Sequence, residues 1–168
     1  MRIVLGLDPG SRRTGYGILR LDPDRITRVA GGVLRLDESR PFAERLPELR
    51  GALLPLIEAH RPGEAALETC FVARSARAAL VLGHVRGVLL LLCLEAGLDV
   101  FEYAPAEVKR AACGTGAASK EQVQEMLRRL VPGIDRRITG DESDALAVAY
   151  CHLGRTAVTR PEPMRGLR

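Results

Sequence analysis

The stretch Ile3 to Leu19, IVLGLDPGSRRTGYGIL, constrains this chain most. An apolar run ends in one acid, Asp8, followed at once by Pro9, Gly10 and the basic link Ser11-Arg12-Arg13; a second run then opens with Gly15 and Gly17. Two apolar runs around a Pro-Gly break predict a β-hairpin with a carboxylate at its mouth. Period-two alternation puts Val4, Gly6 and Asp8 on one face and Ile3, Leu5 and Leu7 on the other. Asp8 is therefore expected to leave the core side and point where a ligand approaches. Gly6, Gly15 and Gly17 keep side chains out of that neighbourhood, which suits close approach of a metal-bound phosphate or of another strand. Asp-Pro-Gly is also ordinary turn chemistry, so the acid needs partners elsewhere in the chain.

The rest of the chain alternates strand and helix signals. Ile26 to Leu36 predicts a third strand, with Gly31-Gly32 as its bulge or bend. Ser39 as N-cap, Pro41 in the first turn and the stripe Phe42, Leu46, Leu49, Leu53, Leu56 and Ile57 predict a helix, with a kink or break at Pro55. Ala65-Ala66-Leu67 is a short strand that again ends in an acid, Glu68. A long helix follows from about Ser75 to Ala96, then the alternating strand Asp99 to Tyr103 and a short helix opened by Pro105. Ser119 with Gln122, and Thr139 with Glu142, predict capping boxes for two further helices. The last helix buries Leu146, Ala149, Tyr150 and Leu153. Three short-linked strands followed by alternating helices and strands give an α/β fold, a mixed five-stranded sheet with an antiparallel start and a parallel continuation.

A length of 168 residues fits one domain, residues 1–154, followed by a basic mobile tail, 155–168, with four arginines. The most apolar segment, Val85 to Leu94, falls short of the about 20 residues that span a bilayer. It is expected to be a buried helix, with no membrane partner. Met1 leads straight into the first strand without a secretory leader, which predicts a cytoplasmic protein. Four scattered cysteines with no C-x-x-C pair, and only three histidines, argue against a zinc framework or disulfide scaffold. The formal charge of +4 permits a polyanionic partner. Arginine dominates the basic residues so heavily that Lys109 and Lys120 carry more information than any one arginine.

Asp8 and Glu68 end two strands, and Asp141 and Asp144 stand three apart at the start of the last helix, on one face. If the last helix packs across the ends of those strands, four carboxylates converge. Such a cluster calls for a cation, and oxygen-only ligation suits Mg²⁺ or Mn²⁺ rather than zinc. Two such ions about 3.5 to 4 Å apart support phosphodiester hydrolysis by in-line displacement. Taken singly, each acid also fits a helix N-terminus or a solvated surface.

LGLDPGSRRTGYG, ALETCF, GHVRGV, FEYAPAEVK, GTGAASKEQV and DESDALAVA, in that order, resemble the RuvC family of bacterial Holliday junction resolvases over nearly the whole chain. The resemblance implies a ribonuclease H-like three-layer fold and a homodimer. It also implies symmetric cleavage of two opposed strands of a four-way DNA junction in recombination and repair. Asp8, Glu68, Asp141 and Asp144 match the family's metal-binding acids, with two Mg²⁺ ions per site and Mn²⁺ as a substitute. Phe71 matches an aromatic ring that inserts at the junction, and Lys109 and Lys120 match basic residues near the scissile phosphate. A branch-migration motor of the RuvA and RuvB type is the implied partner. Arg12, Arg13, Arg74 and Arg77 flank the acidic motifs as candidate DNA contacts, with solvated surface as the equal alternative.

Three other readings remain at this point. A relative with the same fold and acids acts on structured RNA such as ribosomal-RNA precursors. The Asp-x-Gly hairpin also occurs in actin-like sugar kinases, which need two such domains. A non-catalytic DNA-binding protein fits the basic charge but not the complete set of acids.

Overall fold

A computed structural model describes residues 1–23, 25–69, 75–135, 137–158 and 163–164. Three strands come first, β1 (Arg2–Asp8), β2 (Arg13–Asp22) and β3 (Arg25–Arg35). Then follow α1 (Phe42–His60), β4 (Glu64–Glu68), α2 (Ala76–Glu95) and β5 (Asp99–Tyr103). Three helices close the chain, α3 (Pro105–Cys113), α4 (Lys120–Leu130) and α5 (Gly140–Val158). The sheet order is β3-β2-β1-β4-β5, with β1, β2 and β3 antiparallel and β4 and β5 parallel to β1. This is the mixed sheet expected from the order of the elements.

Both faces of the sheet are covered, so the face of β1 that carries Val4 and Asp8 is also a core face, and Asp8 itself opens onto a cleft at the strand end. Leu5, Leu7, Ile18, Ala65 and Leu67 pack under α1 and α2 with Leu49, Leu53, Val85 and Leu89. Val4, Leu19, Ala66 and Phe101 pack on the other side with Leu146, Val148 and Ala149 of α5, backed by α3 and α4. Helix α5 is consequently buried along Ala145–Ala149 and Cys151–Leu153 rather than on one stripe, and Tyr150 is only half-buried.

The glycines of the hairpin make room for this helix, not for a ligand. Gly6 and Gly17 pair directly, and Gly17 pairs in turn with Gly31. A Cβ on Gly6 would overlap the Ala145 carbonyl oxygen, and one on Gly17 would stand 2.7 Å from the Leu146 side chain. The three glycines form a trench across the sheet in which α5 lies at closer than ordinary helix–sheet distance. Gly31 and Gly32 therefore pair in regular register; the irregularity lies between Ile18 and Leu19, opposite Val29.

Other local expectations shift for identifiable reasons. Ser39 does not cap α1: its hydroxyl donates to Asp37 Oδ1 at 2.6 Å, and Pro41 holds the N-cap position without a side-chain bond. Pro55 does not break α1, because Pro47, Pro55 and the residues whose carbonyls they leave unbonded, Ala43 and Gly51, all face solvent. Thr139 caps α5, accepting from the Glu142 amide at 3.2 Å, yet the Glu142 carboxylate turns away to Arg28 on β3, 2.7 Å from Nη2. Helix α5 runs past Gly154 to Val158, and the Met164 amide donates to Val100 O on the edge strand β5 at 2.8 Å. Helix α2 is as long and apolar as a membrane span, but Val85, Leu89, Leu92 and Cys93 pack into the core. It is not buried all round: Leu80, Leu91 and Leu94 are exposed.

One polar network lies inside the α5 layer. His152, fully buried, bonds the Tyr103 hydroxyl through Nδ1 at 2.7 Å and Glu64 through Nε2 at 3.1 Å. Arg2 closes it on Glu64 at 2.6 Å. Burial pushes the Glu64 carboxyl up, but the bonds from Arg2 and His152 outweigh this and hold it below its ordinary range.

Candidate active site

The site lies where β1 and β4 end beneath the N-terminus of α5. Strand β1 delivers Asp8 and its parallel neighbour β4 delivers Glu68 one step beyond the last paired residues, Leu7 and Leu67. Helix α5 crosses the strand ends because the glycine trench draws its first turns onto the sheet, and this brings Asp144 to the same place. Asp8, Glu68, Asp144, Lys109 and Lys120 line one cleft of about 100 Å³. Pro105, Val108, Val123 and Ala147 form its apolar walls, a contribution from α3, α4 and α5 that sequence reading did not identify.

The charges in the cleft are unevenly balanced. The Asp8 carboxyl is raised to about 7, first by burial and then by the negative charges of Asp144 and Glu68, with Lys120 opposing. Glu68 is also raised, by burial and by Asp144, against the pull of Lys120 and Lys109. The Lys120 ammonium donates to Asp144 Oδ2 at 2.5 Å, and this bond holds the lysine above its ordinary value despite partial burial. Asp141 takes a different partner: Arg13 Nε lies 3.1 Å from its Oδ2, and it does not line the cleft. Its charge nevertheless reaches Asp8. Among the described residues, no three acid, histidine or cysteine side chains are gathered tightly enough to hold an ion in this arrangement.

The donor set nonetheless fits a hard divalent cation. Every charged acceptor in the cleft is a carboxylate oxygen, and a cation there would offset both the burial and the repulsion that raise Asp8. Asp8, Glu68 and Asp144 would hold it, with Asp141 joining after release from Arg13.

The arginine candidates separate. Arg13 is engaged with Asp141, and Arg12 pairs with Glu38 at 3.1 Å on the exposed hairpin turn. Arg77 borders a shallow surface pocket with Pro9, Gly10, Ser11 and Ser75 at the start of α2. Phe71, Arg74 and Cys70 lie outside the described residues. A contact that sequence reading missed comes from α2: Arg86 Nη1 donates to the Glu68 carbonyl oxygen at 2.8 Å, and the same guanidinium pairs with Glu102 on β5. A charged residue inside the most apolar segment of the chain was the available signal.

Residues 4–152 match the family model for crossover junction endodeoxyribonuclease RuvC. A crossover junction endodeoxyribonuclease RuvC of Gluconacetobacter diazotrophicus is 50% identical over 149 residues, 89% of this chain and 88% of that protein. One from Myxococcus xanthus is 48% identical over 159 residues, 92% of this chain and 83% of that protein. Among solved structures, Thermus thermophilus RuvC in complex with Holliday junction substrate superposes with a TM-score of 0.91 at 28% identity, covering 98% of this chain and 100% of that one. The yeast mitochondrial Holliday junction resolvase Ydc2 shares the fold, with a TM-score of 0.69 at 17% identity over 92% of this chain and 78% of that one. On its sequence over 149 residues and on the three-layer fold that carries them, the chain belongs to the RuvC family of crossover junction endodeoxyribonucleases.

Proposed function

We infer that this chain resolves four-way DNA junctions, cutting opposed strands by metal-dependent hydrolysis of one phosphodiester in each. The observation that carries the chemistry is the cleft in which Asp8, Glu68 and Asp144 face Lys109 and Lys120. Nucleases of this family are metal-dependent; we assign the metal here as Mg²⁺, with Mn²⁺ as a substitute, and two ions per site. When bound, such ions lower the pKa of a water and stabilise the leaving oxygen. The four acids, Asp8, Glu68, Asp141 and Asp144, supply the ligands. Lys120, already directed into the cleft by Asp144, exchanges that partner for a phosphate oxygen as DNA enters, and Lys109 adds a second positive charge from α3. The apolar walls restrict water and so strengthen these interactions. Arg12, Arg13, Arg74 and Arg77 hold the DNA backbone beside the cleft, and Phe71 acts at the junction itself.

Two opposed cuts need two sites, and we place the second on another copy of this chain. The exposed leucines of α2, Leu80, Leu91 and Leu94, fall eleven and three residues apart on one helical stripe and supply an apolar seam for that dimer. A motor of the RuvA and RuvB type in the cytoplasm completes the proposal. The test is cleavage of a mobile synthetic junction beside linear duplex and single-stranded RNA, with Mg²⁺, Mn²⁺ or EDTA. Paired metal-dependent nicks on the junction alone are expected. Cutting of RNA without junction preference would instead move the substrate to structured RNA.

A further inference from the structure

We infer that Arg86 is a positioning residue for Glu68, supplying from α2 the hydrogen-bond donor that the sheet cannot give to the carbonyl of that acid. The inference rests on Glu68 being a metal ligand and goes beyond it by assigning what holds the ligand in place.

The need for such a donor follows from the register. The Asp99 amide donates to Gly63 O and the Thr69 amide to Tyr103 O, so the carbonyl of Gly63 and the amide of Thr69 both turn toward β5. Residue 68 therefore turns its carbonyl toward β1. In a parallel ladder a carbonyl accepts from the amide one step beyond the residue it faces. The pairing of Leu7 with Leu67 sets Asp8 opposite Glu68, so the ladder donor would be residue 9. That residue is Pro9, which has no N–H. The Glu68 carbonyl is thereby left without a strand partner at the point where the chain leaves the sheet, and an unpaired carbonyl in a half-buried position is costly.

Arg86 meets that need. Its Nη1 donates to Glu68 O at 2.8 Å, and the other arm of the guanidinium pairs with Glu102, the residue on β5 that sits opposite Leu67. Its side chain is only 18% exposed. Val85 and Leu89, both fully buried, fix the helix on either side of it. The planar fork thus spans the ends of β4 and β5 and fixes the backbone from which the Glu68 side chain enters the cleft. A lysine, a single flexible point charge, does not serve both partners in one geometry.

The test separates positioning from stability by comparing metal affinity with DNA affinity. Mn²⁺ binding to the DNA-free protein, read by electron paramagnetic resonance, is measured for wild type, Arg86→Met, Arg86→Lys and Glu102→Gln. Junction affinity in Ca²⁺, melting temperature and single-turnover nicking in Mn²⁺ accompany it. Partners that orient a metal ligand typically contribute about 10- to 100-fold to metal affinity or activity. Arg86→Met is expected to weaken Mn²⁺ binding about tenfold and slow nicking at least as much, while junction affinity stays within about twofold. Glu102→Gln, which leaves the bond to the Glu68 carbonyl, is expected to stay within about threefold of wild type for Mn²⁺. Wild-type Mn²⁺ affinity in Arg86→Met overturns the assignment, and so does an equal loss in Glu102→Gln, which would transfer the effect to the ion pair. Should Arg86→Met fail to fold, Arg86→Lys decides: a loss of about threefold or more at unchanged melting temperature supports the role, and a wild-type value overturns it. If the wild-type chain fails to nick a junction, the nuclease reading falls, and the Mn²⁺ comparison still judges Arg86.

Discussion

At the scale of the residue, the site is organised around an acid that resists ionisation. Asp8 is raised from 3.8 to about 7 by burial and by Asp144 and Glu68. A carboxyl whose folded pKa exceeds its unfolded one favours folding while protonated, and that contribution is lost as pH rises through about 7. Metal-free protein should therefore lose stability between about pH 4 and 7 relative to Asp8→Asn and level off above that, by an amount on the order of a few kcal/mol at most. Denaturant titrations of both proteins in EDTA measure the difference; equal pH dependence would exclude Asp8 as its source. The same substitution should abolish junction cleavage while leaving junction binding in Ca²⁺ intact, because it removes a proposed metal ligand without removing any basic residue. Ion pairing also distinguishes the two aspartates of α5, which look equivalent from their spacing alone. Asp144 takes Lys120 inside the cleft, whereas Asp141 takes Arg13 outside it.

At the scale of the element, the position of the acids depends on how closely α5 approaches the sheet. Gly6 lacks a Cβ where one would overlap the Ala145 carbonyl, a backbone atom that cannot rotate away. Gly6→Ala should accordingly cost more than about 3 kcal/mol or prevent folding, since overpacking against backbone forces the helix off the strands. Gly51, inside α1, has nothing within 4 Å of an added Cβ, so Gly51→Ala should stabilise by about 0.4 to 1 kcal/mol. Thermal melts of the two variants should move in opposite directions. These glycines also mark where sequence reading ended. The hairpin, the acids at the two strand ends and the Ser119–Gln122 capping box were legible because each signal lies within a few residues. The same glycines read in sequence as room for a metal-bound phosphate or another strand, because the helix that fills the trench lies more than a hundred residues away in the chain. Likewise, Pro55 reads as a break until the exposed side of α1 is known, and Glu142 reads as a capping residue until Arg28 is placed beside it.

At the scale of the whole molecule, the two sides of the sheet divide the work. The α5 side holds the chemistry, and the α1–α2 side presents Leu80, Leu91 and Leu94 to the surroundings. Helix α2 belongs to both: its buried stripe is core, Arg86 reaches the Glu68 carbonyl, and its exposed stripe is the proposed dimer seam. A two-fold seam on this helix fixes the distance between two clefts, and paired nicking requires that distance to match the opposed strands of a junction. Leu91→Glu combined with Leu94→Glu should therefore yield a folded monomer, since neither side chain contributes to the buried face of α2 and a charged pair across a two-fold seam repels. Sedimentation should show the change in mass, and melting should move little once the concentration dependence of the dimer is removed. On a junction, the double variant should nick one strand at a time, with the second cut no faster than the first and no longer coupled to it. A double variant that remained dimeric and still cut both strands together would place the seam elsewhere on the molecule.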